Sequence, residues 1–185
     1  MPKSRLWTSL SIALLIGAGA VVGLLAAWYF VARQPVTTVI LVRHAEKKIE
    51  PENPNPALSP AGEERAQSLV HILGNSGINA VYASQYIRTQ STVAPLANQL
   101  RLSPTQIEAR DVTELVRQIK TNNPGGVVFV AGHNNSVPAI IAELGGETLP
   151  IIPETEYDNL FVVTVQKFRP TRVLKLRYGR PSSQP

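Results

Sequence analysis

Val39-Ile40-Leu41-Val42-Arg43-His44-Ala45-Glu46 ends an apolar run on a charged pair, and Val127-Val128-Phe129-Val130-Ala131-Gly132-His133-Asn134-Asn135 repeats the pattern far downstream. A short run of β-branched and apolar residues reads as a strand buried on both faces, as in a parallel sheet. Open parallel sheets bind ligands just beyond the carboxyl ends of their strands. Both imidazoles are therefore expected to face one cleft.

Between and beyond these strands the pattern alternates. Gln34-Pro35 opens a short linker and Val36 to Val42 reads as the first strand. Glu50 to Pro56 carries three prolines, which remove amide donors and restrict their neighbours, so it is a loop near the mouth of the first-strand site. Ser59-Pro60 is an N-cap followed by proline at N1, with Glu63 and Glu64 in the first turn and Ala66, Leu69, Val70 and Leu73 at helical spacing; Gly74 or Gly77 ends that helix. Asn79 to Ala83 reads as a short strand, Ile87 to Leu100 and Val112 to Thr121 as helices. Asn134 to Pro138 begins a helix that runs to about Leu144, while Leu160 to Val165 and Val173 to Tyr178 alternate as an edge hairpin does. Strands alternating with helices give an α/β sheet.

The 185 residues hold an uncharged apolar run from Leu6 to Ala32. A spanning helix needs about 20 apolar residues, and a signal-peptide core about 7–15. Length favours an uncleaved anchor, with Trp7 and Trp28-Tyr29-Phe30 at the two interfaces. Ala18-Gly19-Ala20 has the form of a cleavage site, but cutting there leaves Val21 to Leu25 exposed. Lys3, Arg5 and the terminal amine before the run, against Arg33 after it, keep the N-terminus cytoplasmic under the positive-inside rule. The reading is a cytoplasmic segment 1–5, a transmembrane signal anchor 6–32, one catalytic domain 33–179 outside the cytoplasm and a tail 180–185. Its location is a cell membrane, crossed once, with the domain in the periplasm if the source is bacterial.

Net charge of +5 with no cysteine bounds the chemistry. Basic residues are scattered, no Lys/Arg run exceeds two, and no nucleic-acid motif accompanies them, so a nucleic-acid partner is not expected. Thiolate chemistry and cysteine-ligated metal are excluded.

Three strand ends supply candidates: Arg43-His44, Ser84 through Arg88, and His133. Arginine presents a planar fork of donors that matches phosphate and stays charged at any working pH. Neighbouring guanidinium charges lower an imidazole's pKa and keep it nucleophilic, which assigns attack on phosphorus to His44. Arg43 and Arg88 then neutralise the equatorial oxygens and protonated His133 donates from another side, with Asn134 and Asn135 adding donors at a helix start. Such a site requires no metal and no cofactor. His71, between Val70 and Ile72, is a structural histidine, and Thr89 and Thr92 are packing residues.

These residues resemble the histidine phosphatase superfamily, which includes phosphoglycerate mutases and acid phosphatases. Arg43-His44-Ala45-Glu46 is similar to its Arg-His-Gly signature, with alanine for glycine. Leu58-Ser59-Pro60-Ala61-Gly62 followed by Ala66 is similar to its helix start, Ser84 to Thr92 to its Arg-containing element, and Gly132-His133-Asn134 to its second-histidine motif. The resemblance covers about residues 36–179 and implies a three-layer α/β/α sandwich with a mostly parallel sheet. It makes His44 the phosphohistidine nucleophile and Arg43, Arg88 and His133 the phosphate pocket.

Acid-phosphatase members carry aspartate after the second histidine, where this chain has Asn134, so the mutase-like branch fits better. Members of that branch take the proton donor from the segment after the Arg-containing helix. Glu108 is preferred there over Asp111 and Glu114, with Glu156 and Asp158 as further candidates. The expected activity is metal-independent hydrolysis of a phosphate monoester or phosphohistidine, on a phosphorylated small molecule or a phosphoprotein. The rival is a phosphate-binding module of the same fold without turnover. Neither substrate nor oligomeric state is legible.

Overall fold

A computed structural model describes residues 3–182, with side chains from residue 19 onward. The chain divides into two units, 1–34 and 35–185. The first is a helix, α1 (Lys3–Ala32). Among the described residues no helix is long and apolar enough to cross a membrane, so the expected transmembrane segment 6–32 gains a helix but no support as a span. The side chains of Lys3, Arg5 and Trp7, on which the topology and one interface were read, lie outside the described ones, as do residues 1–2 and 183–185.

The second unit runs β1 (Val36–Arg43), α2 (Pro60–Leu73), β2 (Ile78–Ala83), α3 (Ile87–Leu100), β3 (Thr105–Gln106), α4 (Val112–Asn122), β4 (Val127–Gly132), α5 (Ser136–Glu143), β5 (Asn159–Gln166) and β6 (Arg172–Arg177). Its sheet has the order β3-β2-β4-β1-β5-β6. The first four strands run parallel, while β5 and β6 pair antiparallel at one edge, so the sheet is mixed. A connection of a dozen or more residues, usually a helix, is needed between parallel neighbours, whereas a tight turn suffices for the β5–β6 hairpin.

Alternation along the strands splits the core. Val39, Leu41, Val128, Val130, Phe161 and Val163 face α4 and α5 through Leu115, Ile119, Ile140 and Ile141. Ile40, Val42, Val81, Phe129 and Ala131 face α2 and α3 through Leu69, Leu73, Val93 and Leu96. The central strands are therefore covered on both faces, which is why β1 and β4 read as continuous apolar runs.

Helix α2 begins as its sequence dictates. Ser59 accepts a hydrogen bond from Gly62 N, Pro60 occupies the first turn and Gly74 is the C-cap, while Gly77 lies beyond the helix at a φ of 75°. Gly62 is required by a close approach: a Cβ there would lie 2.1 Å from the Glu46 carbonyl oxygen. Helix α3 lacks a side-chain cap of its own; Ile87 N donates instead to Asn55 Oδ1 of the proline-rich loop, which so reaches the helix that carries Arg88.

Candidate active site

Register brings the two histidines together. Arg43 is the partner of Gly132 in the parallel β1–β4 pair, and His44 N donates to Gly132 O at 2.9 Å, so one further residue on each strand places His44 beside His133. Their ring centroids are 5.4 Å apart, edge to face. The turn after β4 is tight: His133 N donates to Ser136 Oγ at 2.8 Å, and a Cβ on Gly132 would approach that same oxygen to 2.8 Å.

His44 is buried, and its Nδ1 lies 2.8 Å from the Ala45 carbonyl. A carbonyl only accepts, so Nδ1 carries the proton and Nε2 keeps its lone pair. Burial lowers the His44 pKa most, the Ala45 hydrogen bond opposes it, and Arg43, His133 and Arg88 lower it further, to about 3. Ala45 is itself fully buried, packed with Leu58 and Ala66. Its amide donates to Thr92 Oγ1 at 2.9 Å, and Thr92 donates to Arg88 O at 2.7 Å, so α3 holds the His44 loop in place.

His133 differs from its expected state. Burial, then Arg88 and Arg43, lower its pKa to about 4, so these surroundings hold a neutral ring in place of the protonated donor read from the sequence. Its Nε2 is 2.9 Å from Ser84 Oγ, which also meets Thr89 Oγ1 at 2.8 Å. Thr89 and Thr92 are fully buried but do more than pack: Thr89 anchors this hydrogen-bonded path and Thr92 accepts from the Ala45 amide.

Arg43 is 1% exposed. Its Nη1 donates to the carbonyls of Pro153, Glu154 and Glu156 at 2.8, 2.9 and 3.2 Å, its Nη2 pairs with Glu154 Oε2, and its guanidinium stacks 4.2 Å from the Tyr157 ring centre. Arg88, at the start of α3, lies 4.2 Å from the Tyr86 ring centre. The Nε atoms of both arginines are buried and have no hydrogen-bond partner among the described residues. Two orphaned cationic donors beside a nucleophilic imidazole are suited to an anion, because an unmet buried donor carries its full desolvation cost.

The remaining expectations divide. Asn134 is at the site, but its Nδ2 donates to Glu154 Oε1 at 2.7 Å. Glu108 is exposed on the loop after β3 and lines a small recess with Ser84 and His133. The alternative acids are committed elsewhere: Asp111 caps α4 and accepts from Glu114 N, Glu114 pairs with Arg117, Glu156 accepts from Asn159, and buried Asp158 holds Arg177 and Ser182. His71 is exposed on α2, away from the site.

Glu154 and Tyr157 were not legible as site residues, because the segment between α5 and β5 has no periodicity and reaches Arg43 across more than a hundred residues. Ser84 sat in plain view within the Arg-containing element. A cleft of about 650 Å³ opens beside the site between Glu46, Arg65, Glu154, Tyr157 and Ser182.

Residues 39–111 match the model of the histidine phosphatase superfamily (branch 1). The match runs from within β1 to the N-cap of α4, and so includes Arg43, His44 and Arg88. Over 92 residues the chain is 30% identical to the PE-PGRS family protein PE_PGRS11 of Mycobacterium tuberculosis, covering 48% of this chain and 16% of that protein. The fold is similar to that of the protein histidine phosphatase SixA complexed with tungstate, with a TM-score of 0.62, 20% identity and coverage of 76% of this chain and 96% of that one. It is similar also to mycobacterial glucosyl-3-phosphoglycerate phosphatase Rv2419c, with a TM-score of 0.61, 12% identity and coverage of 78% and 100%. These two structures share the fold with this chain.

Proposed function

We propose that this chain is a phosphatase that hydrolyses a phosphate monoester or phosphohistidine through a phosphohistidine on His44, without a metal. One observation carries the reading: the buried Nε atoms of Arg43 and Arg88 have no acceptor among the described residues, next to an imidazole whose Nδ1 proton is fixed on Ala45 O. A phosphoryl group supplies the missing oxygens. His44 Nε2 attacks phosphorus, the ester oxygen departs with the electron pair of the broken bond, and the arginines hold the equatorial charge. The incoming dianion favours protonation of His133, which then donates to the phosphoryl oxygens together with Asn134. Glu108, on the rim of the recess it shares with Ser84 and His133, gives the leaving oxygen its proton. Water then cleaves the N–P bond, releasing phosphate and restoring His44.

The substrate is a phosphorylated small molecule or a phosphoprotein. Neighbours in fold include a protein histidine phosphatase and a glucosyl-3-phosphoglycerate phosphatase, which support either class. The helix α1 serves as a single membrane anchor that leaves the domain outside the cytoplasm, a placement supported by the uncharged run from Leu6 to Ala32. A reporter fused after Pro185 tests it: activity of a cytoplasm-only reporter reverses the topology.

The chemical test uses the full chain in detergent micelles with p-nitrophenyl phosphate and a chelator. Parent turnover with label trapped on His44, and loss of at least about a thousandfold in His44→Ala, is expected for a nucleophile. Equal turnover in His44→Ala overturns the assignment. Folded parent that binds phosphate without turnover would be a binding module of the same fold.

A further inference from the structure

We propose that Glu154 is a resident competitor of the phosphoryl group, a carboxylate that the fold places in its own anion pocket and that substrate must displace. The proposal rests on the phosphatase reading above and adds to it a residue that sets anion affinity.

Glu154 uses both carboxylate oxygens on donors assigned to phosphate. Oε2 takes Nη2 of Arg43, and Oε1 takes Nδ2 of Asn134 at 2.7 Å. An arginine offers its Nε–H and an Nη2–H along one edge, the fork that grips two oxygens of a phosphoryl group. In Arg43, Nη2 donates to Glu154, while Nε is buried and has no hydrogen-bond partner among the described residues. The third nitrogen cannot substitute, because Nη1 is committed to three main-chain carbonyls. A phosphoryl group that takes this edge together with Asn134 meets the Glu154 carboxylate on Nη2 and Nδ2, and displaces its side chain.

The side chain is built to leave. It is 69% exposed, against 2% for Arg43. Its main chain stays behind, since the carbonyls of Pro153 and Glu154 remain on Nη1 and Ile152 N remains on Asn134 O at 3.0 Å. Glu154 also lines the cleft beside the site, so the displaced carboxylate has room there. Competition of this kind weakens every anion that binds the pocket, but a phosphate dianion regains the same contacts with more charge than a carboxylate offers. Return of Glu154 then helps expel product phosphate.

Titration calorimetry of the full chain in detergent micelles with inorganic phosphate tests this, comparing the parent with Glu154→Ala, Glu154→Gln and Glu64→Gln. Glu64, exposed on α2 and paired with Arg180 at 3.3 Å, lines the same cleft, so its variant removes one negative charge without touching Arg43. The expected result is a Kd about tenfold lower in Glu154→Ala, a smaller drop in Glu154→Gln and little change in Glu64→Gln. Retained binding with equal or weaker affinity in Glu154→Ala overturns the competitor and leaves the phosphatase reading standing. Tightening as large in Glu64→Gln also overturns it, since the field of any carboxylate would then suffice. Absence of binding in parent and variants alike overturns both readings.

Discussion

The rings of His44 and His133 meet edge to face, centroids 5.4 Å apart, and both feel the charges of Arg43 and Arg88. Two imidazoles so placed cannot both hold protons cheaply, and burial adds to the penalty. Their pKa values of about 3 and about 4 lie below the ordinary histidine value of 6.5.

This has a consequence for stability with a definite sign. Between pH 6.5 and about 4 the unfolded chain takes up protons that the native site refuses, so the native state loses stability as the pH falls through that window. Thermal unfolding of the parent should therefore show Tm dropping on acidification, and His44→Gln should show a shallower drop. Equal slopes would mean that His44 is not held neutral. The acid limb of kcat/KM, which reports protonation of the His44 nucleophile in the free protein, should lie nearer pH 3 than 6.5.

Arg43→Lys and Arg88→Lys each replace a planar fork by a point charge. Lysine has no counterpart of the buried Nε–H that each arginine leaves open in this site. Phosphate affinity should fall by about 10- to 100-fold in each variant, the cost of a charge-assisted hydrogen bond. Calorimetric Kd values unchanged within twofold would detach the arginines from anion binding.

Thr92→Val removes the acceptor for the Ala45 amide while filling nearly the same volume. A buried N–H without a partner costs about 1–3 kcal/mol. Urea unfolding should register that loss, and turnover should fall as well, because the freed loop carries His44. Destabilisation with full turnover would show that Thr92 supports the fold and not the nucleophile.

Gly62→Ala places a methyl 2.1 Å from the Glu46 carbonyl oxygen, which is backbone and cannot rotate aside. Helix α2 must shift away from the loop whose Glu46 pairs with Arg65 at 2.7 Å. Overpacking of this kind costs about 1–3 kcal/mol. A Tm within a degree of the parent would indicate that the loop relaxes freely.

Local pattern carried much of the fold. Ser59-Pro60 and Gly74 bracket α2, the reading of Ile87 to Leu100 coincides with α3, and the apolar runs at 39–42 and 127–131 lie in the two central strands. These features are short-range: capping, helical spacing and burial on both faces are each decided within a few residues. The antiparallel edge hairpin was also legible, from the alternation in 160–165 and 173–178.

The sequence alone determined that Arg43, His44, Arg88 and His133 follow strand ends, and therefore that an anion site is available to this chain. It could not determine the state of that site. Only the tertiary structure decided that burial and the two arginines hold His133 neutral, that Thr89 and Thr92 hold the loops they were expected merely to pack against, and that Glu154 sits on Arg43 and Asn134. The physical reason is one of range. Capping and periodicity act between neighbours in the chain, whereas desolvation, charge coupling and the occupation of a donor's last free edge depend on whatever distant segment the β1–β4 register and the loop before β5 bring within a few ångströms.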